Sequence, residues 1–191
     1  MATLVNELID VLRPTEQSDR RRRGVFRHIA SLVDGCFAGE NVLVTAFGSV
    51  PLRTYLPDGD IDVCLLGPHE LLSARDDWTT RLRAHVERAE AAAAEAEDES
   101  SGSTGSSKMN EFAVSEIHII HAEVKLMKLI CDGVVVDVSA NQFGGLAALG
   151  FLEEVNAFIG KDEIFKRSIV LIKAWGFYEG RLLGANHALI S

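Results

Sequence analysis

Asp58, Asp60 and Asp62 stand at alternate positions between Phe47 and Gly67, and the last two run directly into the apolar segment Ile61 to Leu66. Side chains of an extended strand alternate between faces, so Asp60 and Asp62 point one way while Ile61 and Val63 point the other. The apolar pair can be buried. The two carboxylates are then held side by side, roughly 6.6 Å apart along the strand. There they repel each other unless protonated, solvated or bridged by a cation, and a hard divalent ion is the natural bridge. A solvated turn accounts for Pro57-Asp58-Gly59. It leaves Asp62 unexplained, because the flanking Ile61, Val63, Cys64, Leu65 and Leu66 read as a buried strand. An EF-hand loop with ligands at these aspartates requires Gly and Glu where the chain has Val63 and His69, and is excluded.

Upstream, Asn41 to Phe47 has strand composition and ends at Gly48-Ser49, a small pair that lets phosphates approach the backbone closely. No Gly-Lys-Ser/Thr follows, so this is not a Walker loop. Downstream, Val134-Val135-Val136-Asp137-Val138 sets a lone charge inside a β-branched run. Such a carboxylate is costly to bury unless paired or metal-bound. A strand, Gly-Ser, a loop, then alternating apolar and Asp residues on a second strand resembles the nucleotidyltransferase signature of the DNA polymerase β-like superfamily. Asp137 is the candidate for the third carboxylate that this superfamily carries on a neighbouring strand. The resemblance implies two-metal phosphoryl transfer, one ion lowering the pKa of the attacking hydroxyl and the other neutralising the leaving pyrophosphate. Asp60 and Asp62 would bridge two Mg2+ or Mn2+ ions, Asp137 would bind only the ion at the attacking 3′-hydroxyl, and Gly48 and Ser49 would cradle the triphosphate.

These residues need a scaffold, and the periodicity predicts one. Residues 3–12, 17–35, 69–97, 146–159 and 162–179 read as helices, with a further helix from 187 onward. Residues 41–47, 60–66, 112–120, 122–130 and 133–139 read as strands. The order predicts an α+β protein: a mixed sheet carries the carboxylates, helices lie against it, and a second helical region is built from both chain ends. The expected organisation is N-terminal helices over 1–37, packing with the central region; a catalytic domain over 38–140 with an acidic, Ser/Gly-rich insertion near 90–108; and the start of a helical domain over 141–191. Deleting Glu99 to Lys108 is expected to change stability little, because closure entropy grows slowly with loop length.

At 191 residues and 47% hydrophobic composition the chain can bury a sizeable core. No apolar run has membrane-spanning length and the N-terminus lacks a secretory pattern, so an intracellular protein without a membrane partner is expected. Cys36, Cys64 and Cys131 are odd in number, far apart and in apolar contexts, which predicts reduced, buried thiols rather than disulfides or zinc ligands. The net charge of −9 argues against a generic nucleic-acid binder, although much of it sits in the insertion and basic clusters remain at Arg20 to Arg23 and Lys166-Arg167. The four arginines read as a solvated helix face, with contact to RNA phosphates as the functional alternative. His118 and His121 fall on opposite faces of a strand and read as structural. Glu123 and Lys125 read as an ion pair, with Lys125 near the acidic site. Trp175, Phe177 and Tyr178 read as core or domain-contact residues.

Three segments, "FGSVPLRTYLPDGDIDVCLL", "AEVKLMKLICDGVVVDVSANQFGGL" and "IKAWGFYEGRLLGANHALIS", resemble plant proteins of the PAP/OAS1 substrate-binding domain superfamily. These are relatives of non-canonical poly(A) polymerases and terminal uridylyltransferases. The likeness covers most of the chain apart from the tip of the insertion. It implies a polymerase β-like domain and an incomplete helical central domain with the nucleotide in the cleft between them. It assigns the catalytic motif to Gly48, Ser49, Asp60, Asp62 and Asp137. Triphosphate contacts fall to Lys173 and Ser191, and the segment meeting the sugar to Gly144-Gly145. Members of that family continue past the point where this chain stops, so a truncated chain is expected, with the base-reading wall in the missing part. The expected activity is transfer of a nucleoside monophosphate from a nucleoside triphosphate to an RNA 3′ end, with small-molecule nucleotidylyl transfer as a variant. The alternative is a non-catalytic RNA- or protein-binding module that keeps the fold.

Overall fold

A computed structural model describes residues 2–72, 78–100, 112–121 and 124–178, with side chains described from residue 4 and, in the long acidic helix, as far as residue 95. The elements in chain order are α1 (Ala2–Leu12), α2 (Glu16–Cys36), β1 (Leu43–Phe47), α3 (Ser49–Leu52), β2 (Ile61–Leu66), α4 (His69–Leu72), α5 (Trp78–Ser100), β3 (Val114–Ile120), β4 (Leu126–Cys131), β5 (Val134–Ala140), α6 (Phe143–Ile159) and α7 (Ile164–Tyr178). The five strands form one sheet in the order β1-β2-β5-β4-β3. It is mixed: β2 and β5 run parallel, and the other pairs are antiparallel.

One face of the sheet carries the core. Ile61, Val63, Met127, Leu129, Val136 and Val138 are buried on it. Against them α2 lays Val25, Ile29, Leu32, Val33 and Cys36, and α5 lays Trp78, Leu82 and Val86. The helical spacing of both sets is that of one apolar stripe. Thr15 caps α2 by accepting a hydrogen bond from the Ser18 backbone amide at 3.2 Å, and Glu16 and Asp19 complement the helix dipole in the first turn. Each fully buried aliphatic side chain contributes about 1.5–3 kcal/mol of transfer free energy, so this layer is the main source of stability.

A smaller cluster joins the chain ends: Leu12 meets Val170 and Ala174, with Leu56 against them. Here α1 and α6 pack on α7, whereas α2 belongs to the sheet layer. Cys36, Cys64 and Cys131 are buried and unbridged, as expected. No described helix is long and apolar enough to cross a membrane.

Three expectations change. The span read as one helix over 69–97 is α4 and α5 on either side of residues 73–77, which lie outside the described residues. The arginine run is not wholly solvated: Arg20, Arg21 and Arg23 are exposed, but Arg22 is 5% exposed, because a 3.6-residue period turns one residue of any four inward. Trp175, Phe177 and Tyr178 are exposed rather than in the core. Residues 101–111, which include the Ser/Gly-rich end of the insertion, Glu123, and the final residues with Ser191 lie outside the described residues.

Candidate active site

The strand register brings two of the carboxylates together. Asp62 on β2 is the direct cross-strand partner of Asp137 on β5. Directly opposed residues share a face, and this is the face away from the α2/α5 core. Asp60 immediately precedes β2, so its charge adds to the same cluster. Burial, then repulsion from Asp60 and from Asp137, pushes the Asp62 carboxyl up to about 6, against the opposing pull of Lys173 and Lys128. Asp137 is also raised, chiefly by burial, although Lys128 opposes the shift.

Gly48 ends β1 at φ +70, outside the region open to most L residues. A Cβ there would lie 2.2 Å from Asp62 Oδ2, so only glycine lets the backbone come this close to the carboxylate. Ser49 starts α3, one helical turn that the strand-and-loop reading had missed. Gly145 is in the first turn of α6, and a Cβ on it would lie 2.5 Å from the Phe47 ring. Its absence lets α6 close on the end of β1 beside Gly48. Lys173 reaches the cluster from α7; burial lowers its pKa while Asp60 and Asp62 hold it up. Helix α7 and the sheet therefore meet at one acidic site, through Lys173.

Sequence reasoning missed two site residues. Lys128, rather than Lys125, stands opposite Asp137 in the β4–β5 register. Its Nζ donates to Asp137 Oδ2 at 2.9 Å and lies 2.8 Å from Oδ1. Oδ1 gains charge from this contact but no hydrogen-bond geometry, and it is a buried acceptor without a partner. The signal was present in the Asp132-Gly133 turn. Both residues have positive φ, 49° and 68°, as a two-residue type I′ hairpin requires, and counting back from that turn pairs 131 with 134 and 128 with 137.

The second is Arg22, whose Nη2 donates to the carbonyls of Pro57 at 3.1 Å and Gly59 at 2.7 Å. Its guanidinium stacks 4.2 Å from the centre of the Tyr55 ring, and Nη1 donates to Ser18 Oγ at 2.6 Å. Tyr55 in turn donates to Asp19, which also pairs with Arg53 at 2.8 Å. Helix α2 thus clamps the turn that delivers Asp60. No local pattern distinguishes this arginine from its neighbours.

Among the described residues, no group of three His, Cys, Asp or Glu is gathered as a ready cation cage. Lys128 and Lys173 supply the counter-charge. The donor set nevertheless suits a hard cation: Asp137 Oδ1 lacks a hydrogen-bond partner, and Asp62 is raised first by burial and then by repulsion from Asp60 and Asp137, which a cation would relieve.

A mixed sheet with a Gly-Ser turn leading to paired aspartates on adjacent parallel strands is the fold of polymerase β-like nucleotidyltransferases. Comparison with known proteins agrees. Residues 1–153 match the family described as Poly(A) RNA polymerase, mitochondrial-like, central palm domain, and residues 159–191 match the PAP/OAS1 substrate-binding domain. The chain belongs to the mitochondrial-like poly(A) RNA polymerase central palm family. Among solved structures, Cid1, described as having RNA terminal uridylyl transferase activity, is similar with a TM-score of 0.67 and 14% identity, over 91% of this chain and 46% of that one. A cytoplasmic RNA terminal U-transferase gives 0.67 and 16%, over 95% and 45%. The polymerase core of TRAMP, an RNA surveillance complex, gives 0.66 and 16%, over 94% and 48%. The chain spans a little under half the length of these proteins. No curated protein matches.

Proposed function

We propose that this chain carries the catalytic half of a template-independent RNA nucleotidyltransferase, which joins a nucleoside monophosphate from a nucleoside triphosphate to an RNA 3′ end and releases pyrophosphate. The observation that carries it is the cross-strand pairing of Asp62 with Asp137 beside Asp60, with Gly48 closed against Asp62. Asp60, Asp62 and Asp137 would hold two Mg2+ or Mn2+ ions. When bound, these ions acidify the attacking hydroxyl and neutralise the departing phosphates.

The chain's own residues do the rest. Gly48 and Ser49 present backbone to the triphosphate without steric hindrance, and Lys173 adds a cation on the same side. Ser191 joins them by family resemblance, and Gly145 sets the wall beside the sugar. Asp137 would stand nearest the acceptor hydroxyl and take up the proton that leaves it as its oxygen bonds to phosphorus and pyrophosphate departs. Arg22 holds the 57–59 turn so that Asp60 meets Asp62 in a fixed geometry.

The test is incubation of the purified chain with labelled single-stranded RNA, Mg2+ or Mn2+, and each nucleoside triphosphate in turn. The expected result is 3′ extension that is lost in Asp62→Ala. Absence of extension with every nucleotide and both metals, from a folded chain, would leave the non-catalytic binding module as the better account.

A further inference from the structure

The register that pairs Asp62 with Asp137 continues across all five strands. Phe47 on β1 opposes Asp62, Asp137 opposes Lys128 on β4, and Lys128 opposes His118 on β3. Cross-strand partners share a face, so Phe47, Asp62, Asp137, Lys128 and His118 form one row on the face away from the core. The residues flanking this row point the other way: Met127, Leu129, Val136 and Val138 are buried, and Ile117 packs on the same core.

The row has a direction. Its β1 end carries Gly48, and Lys173 approaches Asp60 and Asp62 from α7. Those groups occupy the nucleotide side of the carboxylates. An acceptor strand whose terminal hydroxyl meets Asp137 must therefore leave over β4 and β3. Strands lie about 4.8 Å apart, which puts His118 about 10 Å from Asp137 in backbone terms. Across that interval the surface is open: Lys128 keeps 37% of its side chain accessible, His118 is exposed, and Ile120 beyond it is 38% exposed. Lys128 has three donors, so it can hold Asp137 and still meet a phosphate. His118 offers a ring N–H and an aromatic face, the groups that hold unpaired nucleotides.

A second cationic surface, on α2, fits less well. Arg20, Arg21 and Arg27 line a groove of about 790 Å³ with Phe112, but it lies on α2, which covers the opposite face of the sheet. Two of these arginines are engaged within the chain, Arg20 with Glu16 and Arg21 with Asp132.

We propose that Lys128 and His118 line the exit path of the acceptor, single-stranded RNA leaving the site across β4 and over the edge strand β3. This rests on the nucleotidyltransferase reading and specifies where its second substrate lies. The test uses the 191-residue chain and a single-stranded RNA oligonucleotide with 4-thiouridine next to its 3′ end. Photocrosslinked peptides should fall within residues 114–131, and a crosslink confined to residues 16–36 would overturn the path.

In parallel, His118→Glu and Lys128→Met should each raise the RNA Kd about 5–10-fold by fluorescence anisotropy, and in His118→Glu, which lies outside the carboxylate cluster, nucleoside triphosphate affinity should change less than about twofold. The salt dependence of binding should lose about one unit of slope in Lys128→Met. His118 is exposed, so His118→Glu keeps the fold and remains informative should Lys128→Met unfold. If His118→Glu extends RNA with unchanged RNA affinity, the path is wrong and the nucleotidyltransferase reading stands. If the parent chain neither binds nor extends RNA, both fall.

Discussion

The sheet layer and the helical region solve the burial problem to different degrees. The sheet with α2 and α5 closes on one continuous core, and its strands leave few large apolar side chains in solvent, chiefly Leu43 and Ile120. The helical region does the opposite. Its described core is Leu12, Val170 and Ala174, while Leu4, Leu8 and Val11 of α1, Phe143, Phe151 and Phe158 of α6, and Ile172, Trp175 and Tyr178 of α7 are exposed. Two layers suffice to cover one face of a sheet. Three helices with apolar residues on several sides require further neighbours, and an exposed surface of this kind invites association. The acidic site lies where the regions meet. Its carboxylates come from the closed layer and Lys173 from the open one.

The comparison can be broken most sharply at the carboxylates. Asp60→Ala, Asp62→Ala and Asp137→Ala should each lower nucleotide transfer by about 10³-fold while circular dichroism stays unchanged, because each removes charge from the site without touching the core. Near-full activity in any one of them removes that residue from the site.

Core truncation comes next. Leu129→Ala should cost about 3 kcal/mol in urea unfolding, since Leu129 is fully buried between strand and helices. A much smaller cost would mean that the sheet layer is as loosely packed as the helical region.

Gly48→Ala is the steric counterpart. A methyl group 2.2 Å from Asp62 Oδ2 must displace the carboxylate or the turn, so transfer should fall by about 10²-fold with a smaller loss of stability.

Asp62 then gives a pH signature in the metal-free chain. Its folded pKa of about 6 lies above the ordinary 3.8, so between those values the folded state binds more protons than the unfolded state and stability falls as pH rises. The penalty is fully present above about pH 6 and absent below about pH 4. With chelator present at pH 7.5, Asp62→Asn should therefore be more stable than the parent by about 1–2 kcal/mol after allowance for solvent screening, and the two should converge at low pH. Parallel pH profiles would show that burial and its neighbours' charge do not raise the Asp62 carboxyl.

The smallest effect belongs to the helical surface. Phe158 is 93% exposed, so Phe158→Ser should change unfolding free energy by less than about 0.5 kcal/mol, yet reduce self-association seen by light scattering. A large destabilisation would show that α6 is packed after all.

Local pattern carried a great deal of this molecule. Alternation in a strand is enough to set Asp60 and Asp62 apart from Ile61 and Val63, and β-branched flanks mark Asp137 as a charge held in a sheet; the strands and most helices follow from the same periods. Those periods act over a few residues, where backbone geometry alone decides which side chains share a face. Long-range register decided the remainder. That Asp137 sits beside Asp62 depends on β2 pairing in parallel with a strand more than seventy residues later, and the turn at Asp132-Gly133 then places Lys128 on Asp137. Arg22 is buried because one turn of α2 faces the loop before Asp60, and the exposed Trp175 and Tyr178 follow from what packs on α7, not from their own hydrophobicity. Composition and period determine which face of an element is apolar. Only the packed chain determines what meets that face, because contacts between distant segments are chosen by the burial and charge pairing of the whole fold.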